Sequence, residues 1–175
     1  MSSFFTTRRL GAITGTALAL ALGLGAPAAT AAPAPHVKAM CLDVGKTRDK
    51  GDKATIWECG DNPNQRFVIS GGQIKVEDTI GTRQQERCLD AGWTRTNGAG
   101  VHLWECGDTN TNQKWIVRNS QIVLADTVGK AQEMCLDTGR TREKGDRVHI
   151  WRCDDRNKNQ QWVVQRGYIK VADTL

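Results

Sequence analysis

The chain has 175 residues, with 24 Lys and Arg against 19 Asp and Glu, and only 6% of its residues are aromatic. Arg8 and Arg9 fall in a stretch that reads as a cleavable leader, and without them the balance is 22 against 19, a net charge near +3. So small an excess, with no Lys/Arg block, argues against nucleic acid as a partner, and no segment beyond the leader is apolar enough to span a membrane.

Residues 1–31 read as a secretory signal: a basic start at Arg8-Arg9, an apolar run from Leu10 to Leu24, and Ala29-Thr30-Ala31 as an A-x-A cleavage site. The run is short for a membrane anchor and is followed by Pro and small residues. The paired arginines leave open whether export follows the general or the twin-arginine route. Residues 32–39 form a Pro/Ala-rich lead-in, expected to be mobile up to about His36. One domain, 40–175, follows, and its expected location is extracellular.

That domain is a threefold repeat, with units of about 40–87, 88–134 and 135–175. Cys41-Leu42-Asp43 returns as Cys88-Leu89-Asp90 and Cys135-Leu136-Asp137, 47 residues apart each time, and Trp57, Trp104 and Trp151 keep the same step. Asn64-Gln65-Arg66-Phe67 is matched by Asn112-Gln113-Lys114-Trp115 and Asn159-Gln160-Gln161-Trp162. A unit this short does not bury a core alone, so the three must share one.

Helix signals are poor. Short segments rich in Val, Ile and Trp, separated by Gly, Asn and Asp, predict an all-β chain with frequent turns. In the middle of each unit, Ala54 and Ile56, Val101 and Leu103, and Val148 and Ile150 alternate with Thr55 and Trp57, His102 and Trp104, and His149 and Trp151. Alternation along a strand puts the aliphatic residues on one face and a large aromatic with a polar neighbour on the other, open to water or a ligand. The later runs Phe67-Val68-Ile69, Trp115-Ile116-Val117 and Trp162-Val163-Val164 are apolar on both faces and predict buried strands. Between the two lies a turn-rich loop, one residue shorter in the first unit (Gly60 to Asn64) than in the second (Gly107 to Asn112). A last strand, as in Ile74-Lys75-Val76, ends each unit in an Asp-Thr pair (Asp78-Thr79, Asp126-Thr127, Asp173-Thr174), read as a turn. Gly45-x-Thr47-Arg48 and its copies at Gly92 and Gly139 are also read as turns. His36–Met40 precedes its cysteine as Arg83–Arg87 does, and so should close the ring.

All six cysteines lie in the repeats, one equally spaced pair per unit. In a secreted chain they read as disulfides; fifteen pairings exist, and the repeat symmetry favours Cys41–Cys59, Cys88–Cys106 and Cys135–Cys153. Each closed loop would contribute roughly 3 kcal/mol. Zinc would want C-x-x-C or His spacing that is absent, and no cofactor or metal is expected.

With C-L-D, W-x-C and N-Q-x-W in register three times, the whole mature domain resembles the ricin B-type lectin family, the β-trefoil modules with Q-x-W repeats, which include xylanase-type carbohydrate-binding modules. Phe67 replaces the last Trp in the first unit. The resemblance implies a pseudo-threefold trefoil of about twelve strands, six in a short barrel and six in a hairpin cap. It also implies a sugar site in each repeat. Asp43, Asp90 and Asp137 match the carboxylate that accepts from sugar hydroxyls, Trp57, Trp104 and Trp151 the aromatic on which the pyranose stacks, and Asn64, Asn112 and Asn159 the amide that completes the hydroxyl contacts. Gln65, Gln113 and Gln160 match the Q-x-W glutamine, counted with the site but mainly tying the repeat together. Many relatives carry Gln two residues before the stacking aromatic; Thr55, His102 and His149 stand there instead, a departure that bears on sugar preference, most of all at the first site.

The chemistry agrees. An exposed indole desolvates the C–H face of a sugar, while a carboxylate and an amide accept from and donate to its hydroxyl edge. Such a shallow site implies affinity of about 0.1–1 mM, which three copies offset on a multivalent glycan. The partner implied is a galactoside- or xylan-like polysaccharide or cell-surface glycan, and oligomeric state is left open. His102 and His149 read as hydrogen-bonding rim residues. Trp93 has no counterpart, since Lys46 and Arg140 hold its offset, and is either an isolated exposed ring or an extra wall of the second site.

Two other readings compete. A trefoil with decayed sugar sites would bind a protein, as an inhibitor or toxin-like subunit; the intact Asp, Trp and Asn in every repeat speak against it. A glycoside hydrolase would need paired carboxylates from the Asp43-like and Glu58-like positions, but Arg152 replaces the glutamate in the third unit, and no Ser-His-Asp or H-E-x-x-H pattern occurs. An enzyme is therefore not expected.

Overall fold

The C-L-D segments and the β-branched segments of each repeat become strands of four residues. The first repeat holds β1 (Met40–Asp43), β2 (Thr55–Glu58), β3 (Phe67–Ser70) and β4 (Gln73–Val76). The second holds β5 (Arg87–Asp90), a two-residue β6 (Ala99–Gly100), β7 (His102–Glu105), β8 (Trp115–Arg118) and β9 (Gln121–Leu124). The third holds β10 (Met134–Asp137), β11 (His149–Arg152), β12 (Trp162–Gln165) and β13 (Tyr168–Val171). This is a computed structural model, and the residues it describes are 38–83 and 85–175. The leader over 1–31 and most of the lead-in lie outside them. The described residues belong to one compact unit and include no helix long and apolar enough to cross a membrane.

Three antiparallel sheets run β12-β13-β1-β2, β3-β4-β5-β7 and β6-β11-β10-β9-β8. Each joins the last hairpin of one repeat to the first hairpin of the next, so the sheets stitch the repeats together. The ring closes where β1 meets β13, Cys41 opposite Lys170. The main-chain N–H of Met40 donates to Thr174 Oγ1, as those of Arg87 and Met134 donate to Thr79 and Thr127. The threonine of each Asp-Thr pair is thus the clasp between units. The last hairpins turn on two residues with positive φ, Gly71-Gly72, Asn119-Ser120 and Arg166-Gly167, the geometry that matches the twist of the flanking strands.

The expected aliphatic faces make the core: Ala54, Ile56, Val101, Leu103, Val148 and Ile150 are all buried. At its centre the backbones form a closed triangle, with the N–H of Ala54, Val101 and Val148 donating to the carbonyls of Val101, Val148 and Ala54 respectively at 2.9–3.1 Å. β6 is an outcome of this threading, pairing with β11 where the other repeats show single bridges, Lys53 to His102 and Thr55 to Arg147. It is a thirteenth strand beside the twelve expected. The three within-repeat disulfides form as the spacing implied.

One expectation is corrected. Phe67, Trp115 and Trp162 are buried, but the residues after them are not: Ile69, Ile116, Val117 and Val164 are exposed. β3, β8 and β12 are edge strands, and beyond their buried first residue neither face is fully covered. The indole N–H groups of Trp115 and Trp162 donate inward to the carbonyls of Leu89 (3.0 Å) and Leu136 (2.9 Å), which anchors those rings in the core; Phe67 has no such donor.

Candidate functional site

The second strand of each repeat carries an indole out of the core. Trp57, Trp104 and Trp151 are 45%, 43% and 42% exposed, each facing the first strand's cysteine in register. The neighbouring repeat's loop closes on part of the ring. A Cβ on Gly145 would sit 3.6 Å from Trp57, one on Gly98 would sit 3.8 Å from Trp151, and Lys50 Nζ lies 5.7 Å from the Trp104 ring centroid.

Beside each indole the C-L-D aspartate ends the first strand, nearly buried and held by N–H donors. Asp43 Oδ1 accepts from the Gly45 N–H and Oδ2 from Gln65 Nε2. Asp90 adds a third donor, Asn110 Nδ2 at 3.0 Å, and Asp137 adds Asn157 Nδ2 at 3.0 Å. Such donors orient the carboxylate: in Asp90 and Asp137 Oδ2 takes two of them and Oδ1 one, which leaves Oδ1 a lone pair for a ligand. His102 and His149 stand between acid and indole. Their Nε2 atoms are 3.9 and 3.5 Å from the carboxylates of Asp90 and Asp137, and their rings meet the indoles edge to face at 5.9 and 5.8 Å. His149 Nδ1 donates to the Arg147 carbonyl, which fixes the ring. Thr55 instead turns its hydroxyl to the Asp43 carbonyl.

The result is a concavity of about 300 Å³ in the second repeat, lined by Asp90, Trp93, His102, Trp104, Asn110 and Asn112, and one of about 440 Å³ in the third, lined by Asp137, Arg140, His149, Trp151, Asn157 and Asn159. Both are shallow, with an aromatic wall, an acceptor and amides around it. Among the described residues no three His, Cys, Asp or Glu side chains gather as a metal site.

The family model for the ricin-type beta-trefoil lectin domain matches residues 34–162. The chain belongs to the ricin-type β-trefoil lectin family. Two solved structures share the fold. The C-half of an earthworm R-type lectin, crystallised with GalNAc, matches at 19% identity and a TM-score of 0.53, over 74% of this chain and 88% of that one. A designed threefold-symmetric protein, ThreeFoil, matches at 19% identity and 0.51, over 76% and 96%. No curated protein sequence matches this chain.

Within the lectin domain the expected residues divide into two groups. Asp90, His102, Trp104 and Asn112 converge on one concavity, and Asp137, His149, Trp151 and Asn159 on another. The glutamines lie beneath the site and tie its strands together. Gln65, Gln113 and Gln160 are fully buried, each donating to its aspartate and to a strand carbonyl and accepting a main-chain N–H. They aim the carboxylate and leave no atom for a sugar.

The turn arginines matter more than their sequence suggested. Arg48, Arg95 and Arg142 each bond the glycine carbonyl of their own turn, the Oδ1 of Asn64, Asn112 or Asn159, and the aspartate of the Asp-Thr pair. With Oδ1 committed to a guanidinium, the amide Nδ2 is the group each asparagine has left to donate. Asn110 and Asn157 were missed altogether. Their signal was present, since N-x-N-Q recurs as Asn62-Pro63-Asn64-Gln65, Asn110-Thr111-Asn112-Gln113 and Asn157-Lys158-Asn159-Gln160.

Proposed function

We propose that this chain is a secreted, non-enzymatic lectin that binds sugars in the second and third repeats. The pyranose face stacks on Trp104 or Trp151, and its hydroxyl edge is held by Asp90 with Asn112, or by Asp137 with Asn159. The observation that carries this reading is a half-exposed indole beside a carboxylate that three N–H donors already orient. That pairing suits a ring with one apolar face and a rim of hydroxyls. The acid is committed to binding, with no second carboxylate in either concavity to act as its catalytic partner. Three disulfides favour an oxidising compartment, which supports export.

GalNAc is the first probe, since a lectin of the same fold was crystallised with it; galactosides and xylan follow. A glycan array on the mature domain should give signal in one of these classes, and Trp indole resonances should shift on titration at about millimolar sugar. Silence across galactosides, xylan and other β-glycans would transfer the reading to a protein-binding trefoil.

A further inference from the structure

One position in the site loop differs in every repeat. Gly45-Lys46-Thr47-Arg48 becomes Gly92-Trp93-Thr94-Arg95 and Gly139-Arg140-Thr141-Arg142. The arginine that ends each stretch is locked to Asn64, Asn112 or Asn159. The residue between Gly and Thr is exposed in all three, and in the second and third repeats it lines the concavity. There Trp93 presents a ring that is 88% exposed, and Arg140 a guanidinium with no hydrogen bond or ion pair among the described residues.

Charge is uneven in the same sense. Residues 135–175 carry nine Lys and Arg against six Asp and Glu; residues 40–87 carry eight against eight, and residues 88–134 four against five. The residue after the exposed indole contributes to this contrast. Glu58 is paired with Lys38 and Lys144, and Glu105 with Lys50. Arg152 is exposed, and its side chain has no partner among the described residues. Trp151 therefore has an uncommitted guanidinium across the concavity and another beside it in sequence. Asp137 is the one carboxylate lining this concavity, and both of its oxygens already accept N–H donors. Asp154 lies on the Arg152 side, in an adjoining hollow with Asn97.

Resting on the sugar-site reading above, we propose that the third site takes an anionic saccharide, one bearing a carboxylate or sulfate, with its ring on Trp151 and its acidic group on Arg140. A guanidinium fork matches either anion with two parallel N–H bonds. Arg140 has no internal partner to give up among the described residues, so binding breaks no ion pair and costs the ordering and desolvation of the two groups. Arg152 adds positive potential that salt screens. Trp93, at the same offset, gives the second site a ring where the third has this guanidinium, and that site serves as the internal control.

The test is calorimetric titration of the full chain with three ligands: oligogalacturonate, its carboxyl-reduced neutral counterpart, and a sulfated galacto-oligosaccharide. At least one acidic ligand should bind about tenfold more tightly than the neutral one, the scale of a charged hydrogen-bond pair. Arg140→Gln should remove that preference while leaving neutral binding within about twofold, and Trp151→Ala should remove binding of both kinds at this site. In the Trp151→Ala background, Trp93→Arg should give the second site the acidic preference that the third has lost. Equal binding of acidic and neutral ligands overturns the proposal and leaves the lectin standing. A preference for the acidic over the neutral ligand that survives Trp151→Ala also overturns it, since the attraction is then diffuse charge. No binding of any saccharide removes the sugar reading itself.

Discussion

The first and third repeats carry the same motifs and finish them differently. Asp43 and Asp137 end matching strands, and Trp57 and Trp151 are equally exposed. Yet Asp137 has a third donor in Asn157, where Asp43 has only Gly45 and Gln65. The cause is the missing loop residue. Asn62 caps its turn at φ −135°, against −78° for Asn157, and although both cap the following amide, only Asn157 turns its Nδ2 to the aspartate. Thr55 offers no ring to bridge acid and indole, as His149 does. The support behind the site differs too: Gln121 braces Gln160, whereas the first repeat receives only the Tyr168 hydroxyl on the Gly60 carbonyl. A motif can therefore persist while part of the hydrogen-bond support behind it does not.

The largest effect should separate the two indoles. Stacking buries apolar area worth about 2–2.8 kcal/mol, so Trp151→Ala should weaken sugar binding at the third site roughly 30- to 100-fold. Trp57→Ala should change total binding by less than about twofold. Both variants should keep the fold, since neither ring is core. Calorimetry with a thermal melt on each variant decides this, and equal binding losses would break the contrast between the repeats.

A smaller effect isolates the extra donor. Asn157→Ala and Asn62→Ala each remove a turn cap, costing about 1 kcal/mol of stability in both cases. Only Asn157→Ala also frees a ligand carboxylate, so it alone should lower sugar affinity, by about fivefold. Matched melting temperatures with unmatched affinities are the expected pattern. If both variants bind as the parent does, the Asn157 contact is structural only.

Much of this was legible in the residues. The 47-residue step implies a ring of three, and alternation through Ala54, Thr55, Ile56 and Trp57 separates core from open face. The edge position of β3, β8 and β12 was not legible, because a short apolar run reads alike whether one face or two is covered. Asn110 and Asn157 escaped because N-x-N-Q also reads as turn chemistry; what distinguishes them is where the free amide hydrogens point. The shorter first loop was visible too, but its effect on Asp43 depends on a dihedral angle that spacing does not give.

The smallest effect concerns the charge beside the first indole, where Glu58 stands in the place of Arg152. Lys144 Nζ, from the third repeat, lies 2.8 Å from Glu58, and Lys38 lies 3.1 Å away. These hydrogen bonds, Lys144 first, hold the Glu58 carboxyl below its ordinary range. A carboxyl whose folded value is depressed contributes stability that is complete above its unfolded value and is lost as pH falls through the folded one. Lys144→Ala should therefore raise the Glu58 titration midpoint toward the ordinary carboxylate value, read by NMR, with only a slight change in acid unfolding because the pair is solvent-screened. A parent Glu58 that already titrates normally would show the pair to be transient. The third repeat has no counterpart to this pair among the described residues: Arg152 replaces the glutamate, and only its main chain is bound, the N–H to Asn97 at 2.8 Å and the carbonyl by Gln160 at 2.9 Å. The same strand position thus spends its charge on holding neighbouring repeats together in one unit and leaves it facing solvent beside the indole in another.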